Sequence, residues 1–239
     1  MPLMLVQRSL SCPWASPKPA MVAADGIVGS PNVAGQIAEL VQKLQSSRAR
    51  DRWNAADGLG RLGRGTNGVS VAVPALLHCA EDEDDDVRCA AARALGHIGT
   101  ETCAPELLRL LADEDGGVRW GAAEALGNLG ASASCGLVQL KEALEDEEED
   151  VRGASAQSLG KLVKLGAVAA ADVVPSFIEC LADDEWSVRR SVAEALGRCG
   201  AAAADAVATL RRVAERDSNP SVRKAAEHAL KSISGPSQA

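Results

Sequence analysis

Val87-Arg88-Cys89-Ala90-Ala91-Ala92-Arg93-Ala94-Leu95-Gly96-His97-Ile98-Gly99 returns as Val118-Arg119-Trp120-Gly121-Ala122-Ala123-Glu124-Ala125-Leu126-Gly127-Asn128-Leu129-Gly130. The same frame recurs from Val151-Arg152 to Leu159-Gly160, from Val188-Arg189 to Leu196-Gly197 and from Val222-Arg223 to Leu230. A degenerate first copy runs from Asp51-Arg52 to Leu59-Gly60. The anchors at 51, 87, 118, 151, 188 and 222 lie 36, 31, 33, 37 and 34 residues apart. Six copies at that spacing mark an array of stacked repeats.

Each copy carries a second apolar segment upstream of its anchor. Pro74-Ala75-Leu76-Leu77, Pro105-Glu106-Leu107-Leu108 and Pro175-Ser176-Phe177-Ile178 are examples, each Pro standing 13 residues before its anchor Val. That position suits the first turn of a helix, where a missing N–H costs nothing. An acidic turn follows, so each unit reads as helix A, short turn, helix B. Asp82, Asp113, Asp146, Asp183 and Asp217 all stand five residues before their anchor, and every anchor is followed by Arg.

Asp, then five residues on Val-Arg, then Ala-Ala-x-Ala-Leu-Gly-x-Leu-Gly, resembles the HEAT repeat family, and is similar to its short subgroup that includes the repeats of phycobilin lyases. The resemblance covers about residues 34–234. It implies an all-α fold, an α-solenoid of about six helix-turn-helix repeats. It also implies that Asp82, Asp113, Asp146, Asp183 and Asp217 form a ladder between neighbouring repeats with Arg88, Arg119, Arg152, Arg189 and Arg223. The first copy departs, with Ser46 and Asp51 where Asp and Val are expected. The last has Lys231 and Ser234 in place of both glycines. Such departures suit capping repeats, whose outer faces meet water.

Composition agrees with a helical array. The 239 residues include 44 alanines but one Phe, no Tyr and four Trp. A core of this kind is thin and made of closely packed helices, because Ala is the best helix former and adds little volume. Sandwiches and barrels need β-branched and aromatic strands. The net charge of −8 argues against a general nucleic-acid or anionic-membrane binder. No apolar run reaches the roughly 18 residues of a membrane span. Seven cysteines at irregular spacing, with no C-x-x-C, read as free thiols in a reducing compartment.

Residues 1–33 read differently. They hold five prolines, with Arg8 and Lys18 but no acid before Asp25. We expect a disordered extension, weakly like an organelle transit peptide. A disordered tail is expected over 235–239. The expected location is intracellular and cytoplasmic, with organelle targeting by the extension as the alternative.

Counting helix B from its anchor as zero, positions 0, 4, 8 and 11 share a face. They read Val87, Ala91, Leu95, Ile98 and Val188, Val192, Leu196, Cys199, and form the expected buried face. Positions 2, 6 and 10 make the opposite stripe. By the resemblance, B helices line the concave side, so this stripe would meet a partner. Its candidate residues are Trp53, Asp57, Arg61, Cys89, Arg93, His97, Trp120, Glu124, Asn128, Arg190, Glu194 and Arg198. Across all copies the stripe holds six cationic and three anionic side chains, a contrast with the acidic chain. Two of the four tryptophans lie on it, and Trp is enriched at binding hot spots. Against this stands the plainer expectation that each Trp packs on a neighbouring repeat and fills space left by alanine.

The A–B turns include two six-residue acidic runs, Glu81–Asp86 and Glu145–Asp150. Acids there cap the B helices and favour their dipoles. A run of six exceeds that need, so recruitment of a basic partner or divalent cations is the competing reading.

Catalytic constellations are absent from the sequence. No histidine among His78, His97 and His228 is followed by Glu, so the paired ligands of the HEAT-repeat enzyme deoxyhypusine hydroxylase do not carry over. There is no G-x-S-x-G or Walker loop, and the Gly58-x-Gly60 and Gly63 run is the repeat's own glycine pattern, not a nucleotide loop. A DNA-glycosylase relative would need a more basic face than this stripe. Cys89 is the cysteine placed on the exposed stripe, but no base is near it in sequence. The expectation is a non-catalytic scaffold or adaptor with another protein or peptide as its partner, no nucleic acid and no cofactor. The alternative is a phycobilin-lyase-like factor or chaperone for tetrapyrrole attachment.

Overall fold

The computed structural model describes residues 33–63, 66, 68–99 and 101–235. The expected disordered extension before Val33, with its targeting role, and the tail beyond Gly235 lie outside the described residues. Among the described residues there are twelve α-helices and no strand. They are α1 (Val33–Lys43), α2 (Ala49–Gly63), α3 (Val73–Cys79), α4 (Asp85–Ile98), α5 (Ala104–Leu110), α6 (Gly116–Leu129), α7 (Leu137–Glu142), α8 (Glu149–Lys164), α9 (Ala170–Cys180), α10 (Trp186–Cys199), α11 (Val207–Arg216) and α12 (Pro220–Ser234). Odd-numbered helices are the A helices and even-numbered ones the B helices, giving six pairs in an α-solenoid. No described helix is long and apolar enough to cross a membrane.

The A helices α3, α5, α7 and α11 each follow a 3-10 turn. Pro74 and Pro105 stand in the first turn of α3 and α5, each preceded by a 3-10 turn. Pro175 corrects the expectation for its repeat: it lies inside α9 rather than at its start. Residues 170–173 occupy the register that Val69–Ala72 fills as a 3-10 turn in the second repeat. In the fifth repeat that turn is wound as α-helix and joined to the helix after it, so Pro175 gives up one backbone bond well inside the helix.

Three of the B helices begin at side-chain caps. Asp84 and Asp115 accept hydrogen bonds from the backbone N–H of Val87 and Val118. Asn219 does the same for Ser221. At the other end Gly99, with φ 74°, makes the left-handed turn out of α4, a conformation that side chains with a Cβ resist.

Consecutive B helices pack directly on one another. Glycine at position 9 allows this. A Cβ on Gly96 would lie 2.6 Å from the Ala125 Cβ of the next B helix, and one on Gly160 would lie 2.9 Å from the Cα of Ala195. Gly127 faces Ser158 in the same way, with the Ser158 Cα at 2.9 Å. Ser158 donates across this junction to the Ala123 carbonyl at 2.7 Å, so its buried hydroxyl is satisfied. Among the described residues no helix follows α12, and Lys231 stands at its position 9. Core residues such as Leu59, Leu95, Leu126, Leu159 and Leu196, all at position 8, are fully buried.

A second connection runs along the turns. Arg52 donates two hydrogen bonds to Asp82, at 2.6 and 2.7 Å. Arg88 grips Asp113 at 2.9 Å twice, Arg119 grips Asp146 at 2.8 and 2.9 Å, Arg152 grips Asp183 at 2.7 and 3.0 Å, and Arg189 grips Asp217 at 2.8 and 3.1 Å. Each arginine also donates backward to the carbonyl of its own turn, as Arg119 does to Asp113 at 3.0 Å. Each Asp additionally accepts the N–H two residues on, as Asp113 does from Asp115. Ser46 accepts that bond from Arg48 in the first repeat. Arg223, in the last described repeat, makes its backbone contacts to Asp217 and Ser218.

Burial works against ionisation of Asp82, Asp113 and Asp183, yet the arginine and backbone hydrogen bonds outweigh it and hold these carboxyls below their ordinary value. For Asp217 the Arg189 hydrogen bond is the leading cause, and its carboxyl also titrates low. A carboxylate with a lowered folded pKa stabilises the fold above its unfolded pKa and ceases to as pH falls through the folded one.

Thermal melts followed by circular dichroism should therefore be flat near neutrality and fall progressively as pH drops below about 4. Asp113→Asn should be less stable at pH 7 and show a shallower acid loss; an unchanged acid profile would contradict the linkage. Gly96→Ala should cost about 1–3 kcal/mol by overpacking, read as a drop of several degrees in Tm. Lys231→Ala, at the same position with no helix beyond, should change stability by less than about 0.5 kcal/mol.

Candidate functional site

The stripe of positions 2, 6 and 10 is less open than a two-faced helix would make it. Each inner B helix has a neighbour on both sides and an A helix behind, so three sides are covered. Cys89 corrects the expectation most clearly: it is buried at 4% exposure. It sits in the first turns of α4, where α6 closes over it at Gly121; a Cβ there would lie 3.1 Å from the Cys89 Sγ. An exposed thiol is thus not part of this face. Among the other cysteines, burial pushes Cys79, Cys180 and Cys199 up to about 11, which keeps them protonated near neutral pH.

In the N-terminal half, the stripe residues are occupied with one another. The Arg93 guanidinium lies over the Trp120 ring, 5.4 Å from its centroid, and its Nε reaches Glu124 at 3.3 Å. This cation–π contact joins α4 to α6. Trp120 and Trp53 are both half-buried and pack against the core. Trp53 lines a shallow recess with Ala49, Arg50, Asp84 and Asp86. Arg61 pairs with Asp57 at 2.7 Å along α2 and otherwise extends into solvent. His97 lies against α2, within reach of a Cβ placed on Gly60. Further on, Lys161 donates to Asn128 at 3.1 Å and Gln157 donates to Ser191 at 3.1 Å.

The C-terminal half is different. Arg190 and Arg198 flank Glu194 on α10, each 3.9 Å from its carboxylate, too far for a hydrogen bond. The Arg190 Nε and the Arg198 Nη1 are buried and lack a hydrogen-bond acceptor. Two open grooves meet here. One, of about 270 Å³, is lined by Trp120, Glu124, Gln157, Lys161 and Arg190, among others. The other, of about 670 Å³, lies along α10 and α12 and is lined by Lys164, Arg190, Glu194, Arg198, Lys224 and His228 with small residues between them. Arg190 belongs to both and stacks on the exposed Trp186, 5.6 Å from its ring centroid.

Lys164 and Trp186 escape the periodic reading. Lys164 is 13 residues past its anchor, beyond the counted positions, and Trp186 precedes its anchor by two. The signal for Lys164 is the 37-residue spacing from 151 to 188, the longest in the array, whose extra length makes α8 the longest helix. On the opposite edge, the carboxylates of Asp84, Asp85 and Asp86 approach within 4.8 Å of one another, and Asp84 is the cap of α4.

No curated protein sequence matches the chain. Solved structures do. A designed armadillo-repeat protein in complex with a (KR)4 peptide has a TM-score of 0.64 at 18% identity, covering 82% of this chain and 99% of that one. An engineered protein has a TM-score of 0.62 at 23% identity, covering 83% and 96%. The complex of CpcE and CpcF of phycocyanin lyase from Nostoc sp. has a TM-score of 0.56 at 25% identity, covering 68% of this chain and 98% of that one. The family model for HEAT repeats matches residues 37–127, 73–160 and 137–231, so with its paired helices and stacked B layer the chain belongs to the HEAT-repeat family.

Proposed function

We propose that the protein is a non-catalytic scaffold that binds another protein or peptide along the concave, B-helix face of its solenoid. The observation that carries this reading is the pair of grooves that meet at Arg190 on that face. They run across the B helices of the third to sixth repeats. A repeat array suits such a role because its framework is set by Ala, Leu and Gly at fixed positions while the stripe is free to vary. The armadillo-repeat neighbour, crystallised with a peptide, supports an extended ligand by analogy of fold alone.

A second reading is kept because the lyase complex of CpcE and CpcF is among the structural neighbours. In it the chain assists tetrapyrrole attachment, and mixing with a bilin would shift the pigment's absorbance. A spectrum that stays unchanged across a titration removes this reading.

The scaffold reading is tested by affinity capture with three forms of the full chain. The first is wild type. The second is the B-face variant Trp53→Ala/Trp120→Ala/Arg190→Glu, with helicity verified by circular dichroism. The third is an A-helix control, Val138→Ala/Glu142→Ala, substituted at exposed positions of α7. Wild type and control should capture the same partner, and the B-face variant should capture at least tenfold less. Equal capture by all three would place the working surface elsewhere.

A further inference from the structure

We infer that the groove between α10 and α12 is a docking site for an acidic segment of a partner protein, held through Asp or Glu side chains. This rests on the scaffold reading above and names its ligand chemistry.

Charge is the first argument. The chain carries −8 overall, yet this groove is lined by Lys164, Arg190, Arg198 and Lys224 against a single carboxylate, Glu194. Lys164 and Lys224 are exposed and make no ion pair with any described residue. A concentration of one sign in a recess focuses the local field and favours an opposite ligand.

Unused hydrogen-bonding capacity is the second. The buried Arg190 Nε and Arg198 Nη1 have no acceptor, and a buried donor left unsatisfied is costly. Elsewhere the same residue type is fully engaged: the guanidinium of Arg119 makes five hydrogen bonds to two neighbouring turns. Glu194 stands between Arg190 and Arg198 and hydrogen-bonds neither. Both side chains are also partly exposed, at 42% and 30%, so ligand carboxylates can meet their outer N–H groups, and the guanidinium fork matches a carboxylate.

Size is the third. The lining of α12 runs from Ser221 to Ser232, roughly 16 Å along the helix. That length accepts about five residues of extended chain. Ala225, Ala229 and Gly197 form a floor of small residues between the charged walls, so a backbone can approach closely. The N-terminal half of the stripe lacks this character, because Arg93 is already spent on Trp120 and Glu124.

The test is fluorescence anisotropy of the full-length protein with a labelled (Asp-Glu)4 peptide, using (Lys-Arg)4 as control. The acidic peptide should bind at low salt and weaken steeply as salt rises; the basic one should not bind. Lys224→Glu and Lys164→Glu, at exposed positions that bear no packing, should each weaken binding about tenfold. Arg198→Gln should do likewise, and Arg93→Gln should leave it unchanged. No binding of the acidic peptide, or equal binding by the charge-reversed variants, overturns the proposal. So does an oligonucleotide that binds the same groove more tightly than the peptide. So does a salt-sensitive dimer that Lys224→Glu abolishes and the peptide cannot compete away, since the occupant is then a second copy. If the peptide fails while the B-face variant still loses its captured partner, this inference falls and the scaffold reading stands.

Discussion

A guanidinium that reaches forward to the carboxylate of the next turn and backward to the carbonyl of its own sets the pitch of this molecule. Each Arg–Asp fork fixes both the distance and the rotation between successive turns, because two parallel hydrogen bonds leave little freedom about the contact. The forks lie at one end of the B helices, and the glycine-to-alanine contacts at position 9 lie toward the other. Held at both ends, successive B helices can neither splay nor slide. The thin alanine core depends on that, since small side chains fill the space only when the backbones are this close. The forks are partly buried, so their desolvation is offset by hydrogen bonding and the net gain comes with geometric definition.

Much of this was legible in the sequence because the repeat makes one residue type answer one constraint five or six times over. Val and Leu at positions 0 and 8 marked the core. The departures in the first and last described repeats are as informative: among the described residues no arginine fork reaches Ser46 and no helix packs beyond Lys231. What was not legible arises between repeats. Cys89 looks exposed on a helical wheel drawn for one helix, but the neighbouring helix closes over it at Gly121. Pro175 fits the register yet sits within a longer helix, because the turn before it is wound as α rather than 3-10 helix.

The candidate site shows the same limit. Periodicity placed Trp53, Trp120 and Arg93 together with Arg190 and Arg198 on one stripe and gave no ground to separate them. In the folded chain they are two different surfaces. The first group satisfies itself through ring stacking, ion pairing and packing, while the second leaves donors unused beside exposed lysines. Lys164 enters the second surface because α8 runs two residues longer than α4, α6 and α10, a difference invisible to a fixed count from the anchor. Charge is thus sorted in space, with acids along the turn edge and bases gathered in the last groove.

The fork at each junction is also the same connector throughout. An outgoing arginine and an incoming aspartate make any internal unit compatible with any other, apart from the two ends that lack one half of the pair. Array length is then decoupled from stability at the joints, and a duplicated internal unit would find both of its connections already provided. What such an insertion would move is the register of the grooves.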